Sequence, residues 1–286
     1  MRIHPLAVVD STARIGQEVV VGPFCVIEHD VVIGDGCVLE SHVVVKQRTV
    51  LGRNNHVSEA AVLGGLPQHL RMPDRVGAVV IGSHNTIREH VTVHRSLRHD
   101  HATHVGDHNL MMVGAHVAHD CRVGSHTIFA NNSMLAGHVD VEDRAYISGG
   151  VAVHQFCRVG GYAMVGGLAR VVKDVPPFVT IDGRSSFVVG LNTVGLRRNG
   201  FTNDEIDQLK AAYRLIYRSG LKWQQIQDRL RSEFAAGPAS HFAAFFAAST
   251  RGIVAERREP PATTLRLRDE QSDEHSEQRS LRRHAG

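Results

Sequence analysis

Twenty of the 286 residues are histidine, and their positions are not random. An imidazole has an ordinary pKa near 6.5, so it takes up and gives back a proton close to neutrality. His119, Gly137 and Gln155 follow one another at intervals of 18 residues, and His138 and His154 fall within one residue of that series. His116 precedes His119. If the chain climbs one layer every 18 residues, these positions stack about 4.8 Å apart along one edge of the molecule. His94 joins them one layer below, provided that six residues loop out in between. Solvation accounts for any single exposed histidine. Four converging on one edge, with a Gly and a Gln among them, form a polar site able to handle protons.

The elements that would position them are legible as a repeat. Large apolar residues recur at every sixth position: Val21, Ile27, Ile33, Leu39, Val45 and Leu51, then Ile81 and Ile87, then Val105 through Val171. Two positions earlier stands a smaller side chain, as at Val19, Cys25, Val31, Cys37, Ala115, Cys121, Thr127 and Cys157. A hexad with one large and one small inward residue is the signature of a parallel β-helix, three hexads to a triangular coil. All four cysteines take the small inward slot and are expected to be buried free thiols, as suits a reducing compartment. The twelve histidines of the repeats, from His29 to His154, avoid the inward slots. They are expected to face solvent or another subunit.

Composition narrows the function. Hydrophobic residues at 42% and charged residues at 21% fit a globular chain. A net charge of +3 and only 5% aromatics argue against nucleic acid. No apolar run approaches the roughly 20 residues of a membrane span, and MRIHPLAVVDS is no signal peptide, so a cytoplasmic protein without membrane insertion is expected.

The register breaks twice, at 64–80 and at 94–104. Unbroken hexads would put His69 and His99 in the core, which is costly, so both segments are expected to leave the prism as loops. After Pro176-Pro177 the pattern fades. Thr202 and Glu205 form a capping box ahead of a helical stripe, Ile206, Leu209, Tyr213, Ile216 and Tyr217. Helices over 224–234 and 241–248 should follow. The reading is a β-helix over 1–190, a small helical C-terminal domain over 191–254 that covers its open end, and a disordered tail over 255–286.

The blocks AHVAHDC (115–121), LAGHV (135–139) and AVHQFC (152–157), with VKDVPPF, GLRRNGF and AYRLIYRSG further on, closely resemble the acyl-carrier-protein-dependent UDP-N-acetylglucosamine O-acyltransferases that begin lipid A synthesis. The resemblance covers about 1–254. It implies a left-handed coil and a homotrimer with each site between two prisms. No cofactor or metal is bound. The 3-hydroxyacyl donor rides on the phosphopantetheine of acyl carrier protein. His119 matches the general base that takes the proton of the sugar 3-hydroxyl, Asp120 the carboxylate that orients it, and Gly137 the N–H that meets the oxyanion. Arg71, His94, His116, His138, His154 and Gln155 match substrate contacts, and Asn192 and Arg198 nucleotide contacts. Gly167 matches the position that sets acyl length. Lys210, Arg214, Arg218 and Lys222 recur every four residues as a basic stripe, matching the docking face for the acidic carrier protein.

Departures from the family pattern are His69 for an Asp, Val194 for a Glu and Asn199 for an Arg. They leave room for a relative acting on a 3-amino sugar nucleotide. Rival readings are an acetyl-CoA-dependent acetyltransferase, a noncatalytic scaffold, and a metal enzyme resembling the γ-class carbonic anhydrases with His94 and His99 as ligands. His126, outward but off the column, should be dispensable.

Overall fold

The computed structural model describes residues 1–257. From Arg2 to Ile181 the chain runs as short strands, most of two residues. They pair in parallel with the strand one coil above, in most cases with Cα partners 18 apart, as in Val20 with Val38 and Val32 with Val50. Three walls result, sheets of eleven, nine and eight strands. This is the expected left-handed parallel β-helix, followed by a small helical part. The apolar anchors form its axis: Ile27, Leu39, Leu51, Ile87, Met111, Phe129 and Leu135 are all buried in one core.

The corners explain the rest of the hexad. In most coils from Glu18 on, every sixth residue turns in the left-handed region, among them Asp30 (φ +55°), His42 (+62°), Asp120 (+61°) and His138 (+60°). None of the non-glycine residues there is Val, Ile or Thr. β-branched side chains are rare in this conformation, whereas His, Asn and Asp tolerate it. Histidine is thus a corner residue of this coil. Gly52 shows how closely the coils touch: a Cβ there would lie 2.6 Å from the carbonyl oxygen of Gly82.

Both breaks leave the prism. Across the first, His56 pairs with Thr86, 30 positions on; across the second, Thr92 pairs with His116, 24 positions on. Twelve and six residues are thereby extruded, the latter being the number needed to bring His94 into register. The cysteines are buried and free, and burial pushes the thiols of Cys157 and Cys121 up to about 11 and about 12, where they are inert.

One inward column is more polar than the hexad rule suggests. Asn55, Asn85, Asn109 and Thr127 are buried one above another. Asn85 donates its backbone and side-chain N–H to Asn55 Oδ1 at 2.9 and 3.0 Å. Asn109 N–H donates to Asn85 Oδ1, and Thr127 to Asn109 Oδ1. Each amide occupies a small slot and its carbonyl oxygen accepts from the neighbour above, while the Asn109 amide nitrogen has no partner among the described residues.

The strand Val188–Leu191 turns back antiparallel on Val179–Ile181. Four helices follow: α1 (Thr193–Arg198), which the sequence pattern did not reveal, α2 (Asn203–Arg218), α3 (Trp223–Glu233) and α4 (Ser240–Ala247). The Thr202–Glu205 capping box is formed. Phe178, Leu196, Ile206, Leu209, Phe242 and Phe245 make a second core, while Tyr213 of α2 packs into the core of the coil. The segment expected as a tail begins later than 255: Val188 N–H donates to the Ala255 carbonyl, and Glu256 accepts from Tyr213 and Arg218. The remainder of 255–286, from 258 on, lies outside the described residues. Among the described residues, no helix is long and apolar enough to cross a membrane.

Asn85→Ala strips the ladder of an acceptor and leaves buried partners unpaired, which should cost about 2–3 kcal/mol. Urea unfolding checks this; a variant as stable as the parent would show the ladder to be neutral.

Candidate active site

His119 sits at the corner where the strand His116–Val117 of the nine-stranded sheet turns towards Arg122–Val123 of the eight-stranded one. The hexad points it away from the core, but the two extruded loops lie over this corner. His119 and His94 are each only 8% exposed, so the expectation that all these histidines face solvent or another subunit fails for them. The ring of His69, from the first loop, meets His119 edge-on at 5.9 Å. The second loop supplies Ser96 and Leu97, and the strand that follows it, Ala102–Val105, supplies Thr103.

These groups converge on Asp120. Its N–H donates to Thr103 Oγ1 at 2.8 Å. Its carboxylate accepts from the Ser96 hydroxyl, from Leu97 N–H at 3.1 Å and from His119 Nδ1 at 2.8 Å, with His138 Nε2 3.8 Å away. Burial pushes the carboxyl up, but the bonds from Ser96, His119 and Leu97 outweigh it, and Asp120 is held below the ordinary carboxylate range. An ionised Asp120 only accepts, which assigns the His119 proton to Nδ1 and leaves a lone pair on Nε2.

Gly137 lies against that nitrogen. A Cβ on Gly137 would fall 2.6 Å from His119 Nε2, so the position excludes any side chain. Among the described residues its N–H donates no hydrogen bond. A base with a free lone pair and an uncommitted N–H beside it suit deprotonation of a hydroxyl and stabilisation of a nearby oxyanion.

The surrounding imidazoles are kept neutral. Burial, and then His116 and His119, bring His94 down to about 4. His116 and His138 are lowered chiefly by burial, although Asp120 pulls His138 the other way. His94 meets His116 edge-on at 4.8 Å, and its buried Nδ1 has no partner. His116 Nδ1 shares a 2.7 Å bond with Thr92 Oγ1. The strand register puts Gln155 in the His119–Gly137 column and His154 in the column of His94. Arg71 is exposed on the first loop.

Other expected residues lie elsewhere on the chain. Asn192 and Arg198 line a cavity of about 790 Å³ on the eleven-stranded wall, with His108, His126, Arg144 and Asn199. Asn192 caps α1 through a 3.0 Å bond from Gly195 N–H and donates to the Tyr162 carbonyl. Arg144 reaches Asn199 Oδ1 at 2.7 Å. His126 is off the His119 column as expected, yet lines this second cavity, stacked at 4.9 Å on His108, so it is no neutral control. Gly167 turns a third corner, between the eleven- and nine-stranded sheets, and a Cβ there would meet nothing closer than the Gly149 carbonyl oxygen at 3.4 Å. In the basic stripe, Lys210 pairs with Asp207 and Arg218 with Glu256, leaving Arg214 and Lys222 outside the ion pairs formed among the described residues.

His94 and His99 are not gathered as ligands. Among the described residues the one group close enough to share an ion is His119, Asp120 and His138, within 4.8 Å. There the carboxylate already accepts from three protein donors. Sequence reading missed Ser96, Leu97 and Thr103, whose only signal was their place in a break of the hexads.

Comparison with known proteins gives a consistent result. Residues 174–254 match the family model described as Udp N-acetylglucosamine O-acyltransferase, domain 2, and residues 12–47 the bacterial transferase hexapeptide model. The acyl-[acyl-carrier-protein]–UDP-N-acetylglucosamine O-acyltransferase of Alkalilimnicola ehrlichii is 51% identical over 255 residues, 88% of this chain and 99% of the relative. The enzyme of that name from Halorhodospira halophila is 48% identical over 230 residues, 80% of this chain and 89% of its own. Among solved structures, the UDP-N-acetylglucosamine acyltransferase of Francisella novicida superposes with a TM-score of 0.87 at 36% identity, covering 93% of this chain and all of its own.

A histidine whose pKa is depressed in the fold binds protons better when unfolded. The stability it lends is present above the unfolded pKa of about 6.5 and is lost as pH falls towards the folded value. For His94 the window is therefore from about 6.5 down to about 4, and full loss amounts to about 3 kcal/mol. His116 and His138 act in the same direction. Urea unfolding between pH 7.5 and 4 should show this decline, and His94→Gln should flatten it; an equally steep decline in the variant would refute the assignment.

Proposed function

The chain belongs to the UDP-N-acetylglucosamine O-acyltransferase family, and from that premise we propose that it transfers a 3-hydroxyacyl group from acyl carrier protein to the glucosamine 3-hydroxyl of UDP-N-acetylglucosamine, the first step of lipid A synthesis. The observation that carries the mechanism is the His119–Asp120 pair with Gly137 laid against Nε2. His119 Nε2 takes the proton of the 3-hydroxyl as its oxygen attacks the thioester carbonyl carbon. Charge collects on the carbonyl oxygen, and the Gly137 N–H is the donor available to it. Collapse expels the phosphopantetheine thiolate, which the imidazolium protonates. The acyl group passes directly between substrates, so no covalent enzyme intermediate forms. Asp120 holds the imidazole with Nδ1 protonated and stabilises the imidazolium when it forms.

The neutral histidines His94, His116 and His138 offer hydrogen bonds without charge to the sugar and acyl group, and His154 and Gln155 add further polar contacts. Arg71 supplies a fixed positive charge for a phosphate. Asn192 and Arg198 serve the nucleotide and Gly167 the acyl terminus. One chain carries the His119 corner, the Asn192–Arg198 cavity and Gly167 on three different parts of the prism surface. That separation supports a homotrimer in which neighbouring copies complete one site. Arg214 and Lys222 remain available to an acidic carrier protein. The buried free thiols suit the cytoplasm.

His119→Gln, chosen because the site is buried and the volume should be kept, should lower kcat by about 10²–10⁴ with little change in sugar-nucleotide binding. His56→Ala, at an exposed position of the strand His56–Val57 where the ring's one ion pair among the described residues is with Glu40, is the control and should be near normal. A folded His119→Gln enzyme with near-normal turnover sinks the mechanism.

A Cβ at Gly167 would make only ordinary van der Waals contacts, so Gly167→Met should fold and shorten the preferred acyl donor. A panel of acyl carrier proteins of graded chain length checks this, and an unchanged profile counts against it.

A further inference from the structure

Ser96 has no part in the mechanism so far, yet it is completely buried and its hydroxyl touches the carboxylate on which the base depends. We infer that Ser96 is a positioning residue: its hydroxyl locks the Asp120 carboxylate in the orientation that keeps the His119 proton on Nδ1. This rests on the reading of His119 as the general base.

The hydroxyl has one proton and two candidate acceptors, the Asp120 carboxylate and the Arg98 carbonyl at 3.1 Å. Its oxygen meanwhile accepts from Arg98 N–H at 3.0 Å. The carboxylate is charged and is the nearer of the two acceptors, and charge-assisted bonds are the stronger kind, so the proton goes to Asp120. Oδ1 is then held by Ser96, while Oδ2 is shared by Leu97 N–H and His119 Nδ1. Every lobe that faces protein is occupied, and the plane of the carboxylate cannot turn.

Removing the hydroxyl frees Oδ1 in a buried setting where an unmatched acceptor is costly. A competing donor is at hand. His138 Nε2 lies 3.8 Å from Oδ2, so a modest rotation brings the carboxylate to His138 and away from His119. Once Nδ1 loses its acceptor, nothing prevents the proton from residing on Nε2, and an imidazole with Nε2–H cannot accept the proton of the sugar. The second break in the hexads thus has a chemical purpose. The prism corner alone offers Asp120 only its neighbouring histidines, and the extruded segment brings the hydroxyl and the amide that fix it.

The test uses the full chain labelled with ¹⁵N at histidine, read by NMR at pH 8 without substrate, with the His119 signals identified by their disappearance in His119→Gln. The parent should show one His119 tautomer, protonated on Nδ1, and Ser96→Ala a mixture of both. Its kcat should fall about tenfold, with KM for UDP-N-acetylglucosamine within threefold. Because the hydroxyl acts through the carboxylate, adding Ser96→Ala to Asp120→Ala should change kcat less than twofold. Should Ser96→Ala melt far below the parent, Ser96→Cys, similar in volume and a weak donor, takes its place with the same expected readouts. A single Nδ1–H tautomer in the variant, a mixture already present in the parent, or a tenfold loss that persists without Asp120 overturns the inference. The tautomer is read without turnover. A failure of the base reading, seen as near-normal kcat in His119→Gln, is therefore distinguishable from a failure of this one.

Discussion

The backbone ladder between coils is the interaction on which the site depends. Each coil hydrogen-bonds to the next at a fixed vertical spacing, and the bonds continue through the His119 corner: His138 N–H donates to the His119 carbonyl at 3.0 Å and Phe156 N–H to the Gly137 carbonyl at 3.2 Å. Residues 18 apart are therefore neighbours whatever their side chains prefer. An imidazole at 119 fills the space above it, and only a residue without a Cβ fits at 137. The close approach of Gly137 to the base is thus a consequence of packing in a rigid stack, and rigidity is what a catalytic geometry requires.

A regular prism is a poor place for a buried carboxylate, because its corner N–H groups are few and its side chains point apart. The chain resolves this by leaving the coil twice. The second excursion gives Asp120 a hydroxyl and an amide, to which the Thr103 oxygen of the next strand is added, and the first lays His69 near His119. The same loops remove water from the corner. Desolvation then keeps His94, His116 and His138 uncharged while a hydrogen-bonded Asp120 stays ionised. One negative charge among neutral imidazoles gives His119 a single proton-bearing nitrogen, and this asymmetry is what the proposed base requires.

The remaining binding groups are spread round the prism. Asn192 and Arg198 lie on the wall formed by Leu110, Ile128, Tyr146 and Met164, in a cavity that also holds Arg144 and the His108–His126 stack. Asn199, which departs from the family's Arg, is tied to Arg144, so a guanidinium is still present in that cavity, though it comes from a different coil. Such a layout would suit the proposed homotrimer, in which each copy presents a complementary part of the site to its neighbour.

The sequence alone determined the coil, because a hexad period admits only one way of burying its large anchors. That period also carried the His119–Gly137–Gln155 column, since stacking follows from residue number once the layer height is known. The helical end was readable from the Thr202 cap and the spacing of Ile206, Leu209 and Tyr213. Local pattern did not reveal α1, which is six residues long and capped by a single asparagine. Nor did it reveal the Asn55–Asn85–Asn109 ladder, where amides take slots expected for small residues and each side-chain oxygen is paired by the next coil. Tertiary structure decided the burial of His94 and His119, the anchoring of Asp120 by Ser96 and Leu97, and the pairing of Lys210 and Arg218 within the chain. The physical reason is common to these cases. A repeat specifies what is periodic, but extruded loops and side-chain pairs across elements have no period, and their partners are known only when the chain has brought them together.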